Sequence, residues 1–208
     1  MSEDRSDGGI MVLLCSPHRN GNSDALARAF LEGAGGGRVL KADEIHAAGC
    51  ASCRACDATG RCVIDDGAAA FYEGALAARV LVVASPIHFG TLPSACVALL
   101  ERAQFIWTRR RKSGRAPPVR TAGGARRWGV ALLSGGQRRR RFFRGALDSL
   151  RFWFETLGAR PAAALVATGL HDHDDAAGRP DLLARARRLG AAFRYPLPNH
   201  RDTNSTSS

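Results

Sequence analysis

The sequence predicts an α/β protein, a three-layer sandwich built on a five-stranded parallel sheet. Five short apolar runs alternate with amphipathic helical segments along the chain. The apolar runs lack the period-two alternation of strands with one wet face, so both faces are expected to be buried, as in a parallel sheet. Right-handed βαβ crossovers then place helices on both sides of that sheet.

The elements follow in order. Residues 10–15 (IMVLLC) read as a buried strand. Residues 23–34 put Leu26, Ala27, Phe30 and Leu31 on one helical face, with Asn22 or Ser23 as N-cap. Residues 37–41 (GRVLK) form a short second strand, and 46–66 an irregular loop rich in cysteine. Residues 67–78 are helix-like, 79–84 (RVLVVA) a β-branched strand, and 93–107 a helix with Pro93 in its first turn. An Arg-, Gly- and Pro-rich insertion at 108–127 is expected to be mobile. Strands at 128–133 (WGVALL) and 162–167 (AALVAT) alternate with helices at 141–157 and 180–194. The domain is expected to span 10–194, with residues 1–9 and the polar tail 195–208 disordered.

With 208 residues, 45% of them hydrophobic, the chain can bury a substantial core, which argues against general disorder. Its longest apolar runs are too short to span a bilayer. Met1–Gly9 is polar and carries acids, unlike a signal peptide, so a cytoplasmic protein with no membrane partner is expected. Net charge is +11, which admits a nucleic-acid partner. Lys41 and Lys112 are the only lysines, however, and arginine in an alanine- and glycine-rich background also arises from biased coding composition. Two basic clusters stand out, Arg109–Lys112 and Arg138–Arg141. A nucleic-acid-binding module using them is the reading from another functional class.

Ligands of doubly wound sheets bind beyond the C-terminal ends of the strands. After the first strand comes Ser16-Pro17-His18-Arg19-Asn20-Gly21-Asn22-Ser23. Hydroxyl and amide donors, one arginine and a helix N-terminus together suit a phosphate monoester, although a plain capped turn has the same composition. Neither G-x-G-x-x-G nor G-x-x-x-x-G-K-[ST] is present, so neither a dinucleotide fingerprint nor a P-loop is indicated. After the third strand, Ser85-Pro86-Ile87-His88-Phe89-Gly90 presents apolar side chains where solvent favours polar ones. Such a loop suits a flat ring, a neighbouring helix or a partner subunit. After the fourth, Ser134-Gly135-Gly136 lets backbone approach a ligand.

S-P-H-R-N-G-N-S, A-S-P-I-H-F-G and L-L-S-G-G resemble the three FMN-contacting loops of the NADPH-dependent FMN reductase and iron–sulfur flavoprotein family. The resemblance covers residues 10–193, interrupted by the arginine-rich insertion, and implies a flavodoxin-like fold and an FMN-dependent oxidoreductase. It implies that Ser16, Arg19, Asn22 and Ser23 hold the FMN phosphate. Pro86, Ile87, His88, Phe89 and Gly90, with Ser134, Gly135 and Gly136, then contact the isoalloxazine. The family often carries tyrosine at the position of His88 and a basic residue at that of His18. The resemblance further implies a homodimer or homotetramer, with ferredoxin as an electron donor or NAD(P)H as a substrate. No side chain is assigned to acid–base catalysis.

Cys50, Cys53, Cys56 and Cys62 follow C-x2-C-x2-C-x5-C. Three cysteines spaced by three can reach three corners of a cubane, and Cys62 can close the fourth, giving a [4Fe–4S] cluster. Zinc and redox-active or vestigial thiols remain open, although structural zinc more often uses two separated C-x2-C knuckles. The spacing also matches the compact motif of iron–sulfur flavoproteins. The rival reading in that family is a cluster-free NAD(P)H-dependent FMN or quinone reductase. Cys15 and Cys96 read as core residues, and the tryptophans and Phe142, Phe143 and Phe152 as core or subunit interface. His171-Asp172-His173-Asp174-Asp175 is either a divalent-metal site or an acidic solvated turn. His18, His46 and His200 have no visible partners.

Overall fold

The structure, a computed structural model, describes residues 9–114 and 116–194. The tail expected at 195–208 and all but Gly9 of the expected disordered N-terminus lie outside these residues. β1 (Ile10–Leu14), β2 (Arg38–Lys41), β3 (Val80–Pro86), β4 (Trp128–Gly135) and β5 (Arg160–Thr168) form one parallel sheet in the order β2-β1-β3-β4-β5. That order is flavodoxin-like. α1 (Asn22–Ala34) and α7 (Pro180–Ala191) cover one face. α3 (Ala68–Ala77), α4 (Ser94–Arg102), α5 (Gln104–Ser113) and α6 (Arg144–Thr156) cover the other, and a one-turn helix α2 (Cys56–Thr59) lies in the cysteine loop.

Successive side chains of a strand point to opposite faces, so each central strand feeds two cores. Val12, Val82, Val130 and Leu132 pack under α1 and α7. Leu13, Leu81, Val83 and Leu133 pack under α3 to α6. Val12 stands between Val39 of β2 and Val82 of β3 in register, which makes β1 and β3 the apolar centre of the sheet. The edge strands depart from the expected continuous burial. β2 begins exposed, and the first half of β5 alternates between exposed and half-buried, because an edge lacks a neighbour to cover it. Pro161 lies in that half of β5, where its missing N–H costs no interior ladder bond.

α1 and α7 cross in near backbone contact. A Cβ on Gly33 would stand 1.9 Å from Arg187 O, and one on Gly190 1.8 Å from Phe30 O. Only glycine fits on either side of this crossing, and the Arg187–Glu32 ion pair at 2.6 Å lies beside it.

The insertion expected to be mobile at 108–127 is built into the fold at both ends. Residues 108–113 complete α5. At the other end, Arg127 is wholly buried and among the largest fully buried side chains. Its guanidinium donates to Ala78 O at 2.9 Å, Pro118 O at 3.0 Å, Leu157 O at 2.5 Å and Ala75 O at 2.5 Å. These carbonyls close α3, follow α6 and fix the preceding loop, so one cation serves the negative ends of two helices. Burial lowers its pKa to about 10, which still leaves it charged at neutral pH.

Arg127→Met keeps much of the apolar stem and orphans four carbonyls. It is expected to lower the unfolding free energy by about 3–5 kcal/mol, the range for breaking a buried charged network. Urea denaturation measures this, and a loss under about 1 kcal/mol would mean that the carbonyls find other partners.

Candidate functional site

The chain runs from β1 outward to β2 and then returns to place β3 on the other side of β1. In sheets of this topology ligands bind beyond the C-terminal ends of the strands where the order reverses, here β1 and β3. The loops after β1, β3 and β4 converge there. Cys15 N donates to Ala84 O at 2.9 Å, and Ile87 N to Ser134 O at 2.8 Å. The ladder therefore runs two residues further than expected, so Pro86, Ser134 and Gly135 are strand ends.

In the first loop, Ser16 is buried and its Oγ accepts from His18 N at 3.2 Å. Ser23 is buried too, its Oγ 3.2 Å from Ser134 Oγ, which joins the first loop to the third. The other two expected phosphate ligands are engaged elsewhere. Arg19 reaches Glu44 at 2.7 Å on the surface. The Asn22 amide donates to Asp172 O and accepts from Ala176 N, both at 2.7 Å, bracing the loop after β5. Neither Asn22 nor Ser23 caps α1: Gly21 holds the N-cap position and no side-chain cap bond is made. The first amides of this thirteen-residue helix make no side-chain cap bond beside two buried hydroxyls, and the buried Asp24 carboxylate in the same turn accepts from Asn20 N at 2.8 Å.

In the second loop, His88 and Thr91 exchange backbone bonds at 3.0 and 2.9 Å across Phe89 and Gly90. Both central residues have positive φ, +50° and +82°, as a type I′ turn demands. Phe89 has no left-handed preference, and its ring is fully exposed. A bulky residue is thus held in a left-handed conformation it disfavours, with its ring offered to solvent. In the third loop a Cβ on Gly136 would meet His171 Nδ1 at 2.8 Å. His171 therefore stands over this loop, a placement that its sequence setting did not signal. Asp175 Oδ2 accepts from His171 N at 2.7 Å and Asp172 N at 2.9 Å, so the acidic run closes on itself as a turn.

The cysteine loop lies on the α4–α5 side. Cys50, Cys53, Cys56 and Cys62 are free thiols that line one cavity of about 600 Å³. Ser52, Arg54 and Gly60 between them have positive φ, which folds the chain tightly around that space. Its ends are fixed by Arg102, buried at the end of α4. Arg102 donates to Asp66 Oδ2 at 2.6 Å, Ile64 O at 3.0 Å and Ala48 O at 3.2 Å. Asp66 accepts in turn from Ala48 N and Ala68 N, both at 3.0 Å. Burial alone raises the Asp66 pKa, but Arg102 and the two amides outweigh it and hold the carboxyl below its ordinary range.

Among the described residues no three His, Cys, Asp or Glu side chains converge to hold a single metal ion. That excludes a preformed site at His171–Asp175 and a preformed zinc site at the four cysteines. The chemistry of the donor set, four thiols around one cavity, is that which a [4Fe–4S] cluster takes. Cys15 and Cys96 are buried in the core, where burial and the neighbouring Cys96 push the Cys15 thiol well up. Among the described residues no helix is long and apolar enough to cross a membrane.

Residues 9–135 match the family of NADPH-dependent FMN reductases, more than half of the chain. The chain belongs to this family. Membership places it among flavin-dependent oxidoreductases, and the matched span holds the first two loops, the cysteine loop and the start of the third. An iron–sulfur flavoprotein of Methanosarcina thermophila is 32% identical over 96 residues, 44% of this chain. The chain spans half the length of that curated relative. The fold is shared with the NAD(P)H:quinone oxidoreductase of Methanothermobacter marburgensis, at TM-score 0.63 and 19% identity over 92% of this chain and 98% of that one. An azoreductase from Bacillus anthracis has TM-score 0.60 and 14% identity over 89% of this chain and 99% of that one.

The Asp66–Arg102 clamp makes stability at this loop pH-dependent. Because the folded pKa of Asp66 lies below its unfolded value, its contribution is complete above the unfolded pKa, and is lost as pH falls through the folded one. Thermal unfolding followed from pH 7 down through about pH 4 to 3 should show a steep fall in midpoint for the native chain. Asp66→Asn should be less stable at pH 7 and show a shallower fall, and parallel curves would remove Asp66 as the cause.

Proposed function

We propose that the protein is an FMN- and [4Fe–4S]-containing electron-transfer flavoprotein. The observation that carries this reading is the cysteine cavity, in which four thiols share one wall-space with a buried arginine. Cys50, Cys53, Cys56 and Cys62 would hold the cluster. Ser16, Ser23 and the N-terminal amides of α1 would hold the FMN phosphate. Arg19 joins them by leaving Glu44, while Asn22 acts by holding the loop after β5 in place. Pro86, Ile87, His88, Phe89 and Gly90 would lie along the isoalloxazine, with Ser134, Gly135 and Gly136 on its other flank. When bound, the flavin exchanges two electrons or one, and the cluster exchanges one. The chain's own part is to position both groups and to exclude water. NAD(P)H or a reduced ferredoxin is the electron source, and the site works in the cytoplasm. Exposed Trp107 and Phe152 line an apolar groove of about 540 Å³ and suit the contact surface of a homodimer or homotetramer.

A second reading has its own support. The thiols do not converge as a single-ion site, which favours a cluster-free NAD(P)H-dependent FMN or quinone reductase. Protein purified without oxygen separates the two. The first reading expects stoichiometric FMN, iron and acid-labile sulfide, whereas flavin alone is the outcome of the second. Cys53→Ala should lose iron and ferredoxin-linked turnover while keeping FMN, and Cys96→Ala should keep its iron. Equal iron and equal ferredoxin-linked rates in Cys53→Ala and the parent protein would sink the cluster.

The phosphate assignment has a separate test. Ser16→Ala with Ser23→Ala should weaken FMN by about 1.5–3 kcal/mol per lost charge-assisted bond, and riboflavin, which lacks the phosphate, much less. Equal losses for the two ligands would move the phosphate elsewhere.

A further inference from the structure

Arg102 is an unusual residue to find at the base of a thiol-lined cavity. Its side chain is 2% exposed, and its Nη atoms are spent on Asp66, Ile64 and Ala48. Its Nε is buried and makes no hydrogen bond of good geometry to Asp66 or the carbonyls, and the guanidinium interacts with the Cys62 thiol. A buried donor left without a well-formed bond is costly. Arg102 lines the cavity with all four cysteines, whereas its counter-ion Asp66 does not. Arg54, Arg102 and Arg111 outnumber the two acids, Asp57 and Glu101, in the wall of this cavity. The acids that also line the cavity are otherwise engaged: Asp57 pairs with Arg54 and Lys112, and Glu101 accepts from Cys50 N at 3.2 Å.

Building on the cluster reading above, we propose that Arg102 is the positioning residue of the cysteine site. Its guanidinium ties down both ends of the loop and stands against Cys62 as counter-charge for an anionic iron–sulfur cluster. The first role follows from the acceptors, because Ala48 and Ile64 flank the segment that carries the four cysteines. The second follows from charge. A cluster bound by four thiolates is negative and gains a further negative charge on reduction, so a fixed buried cation favours the reduced form. Outer partners of this kind govern both metal retention and potential.

The test compares the parent protein with Arg102→Lys, Arg102→Met, and Arg102→Met combined with Asp66→Asn, which avoids a buried carboxylate without its cation. Each is loaded anaerobically with iron and sulfide, challenged with a chelator, and titrated by redox potential with electron paramagnetic resonance as the readout. FMN content checks that the variants are folded. The methionine variants should yield iron roughly 10- to 100-fold more readily and show a more negative midpoint potential. Arg102→Lys keeps the charge, so its potential should stay near that of the parent although its iron retention falls. If the parent loads iron and the methionine variants match it in retention and potential, Arg102 has no such role and the cluster reading stands. If the folded parent binds FMN and takes up no iron, the cluster reading fails and the role of Arg102 fails with it.

Discussion

β1 and β3 lie side by side at the centre of the sheet, and the chain leaves them in opposite directions. That reversal is the constraint from which the site follows. It sends the crossover helices to opposite sides, so the loops after β1, β3 and β4 come together above the strand ends. The bonds that hold them are short and mutual: Ser23 to Ser134, and Ile87 N to Ser134 O. Ser134 therefore works as the keystone between the phosphate-side loop and the ring-side loop. The same arrangement leaves the start of α1 without a side-chain cap, because its nearest hydroxyl and amide serve neighbouring loops.

Two buried arginines organise the other side of the sheet in different ways. Among the described residues Arg127 bonds only backbone carbonyls, and its bonds join α3, the end of α6 and the loop before β4. Arg102 has a carboxylate partner and two carbonyls, and its bonds hold the ends of a loop that has little secondary structure of its own. In both cases the price of burying a charge is offset by the acceptors gathered around it. The first arginine secures helix ends and the second secures the ends of the cysteine loop.

Much of the fold was legible in the residues. Val, Ile and Leu runs without alternation located β1, β3 and β4, and the helical face of Leu26, Ala27, Phe30 and Leu31 located α1. Boundaries erred where tertiary contacts decide them. β3 runs on through Pro86 because Ser134 offers a partner, and the expected helix at 93–107 became two helices meeting at Ala103. The arginine-rich stretch at 108–127 read as a mobile insertion because composition cannot distinguish a solvated arginine from Arg127, whose carbonyl partners come from distant segments.

The sequence by itself determined the chemistry on offer: three loops of phosphate- and ring-suited residues at strand ends, and four cysteines at cluster spacing. Local pattern suffices there, because strand ends and cysteine spacing are properties of neighbouring residues. Only the tertiary structure decided which of those residues are free to act. Asn22 and Arg19 carry the right groups but are engaged by Asp172, Ala176 and Glu44. Phe89 is turned out to solvent by a strained turn, and His171 is brought over Gly136 from the far end of β5. Arg102 is an ordinary surface-type residue until folding buries it beside Asp66. Hydrogen-bond partners between distant segments exist only after the chain has closed, so no local pattern carries them.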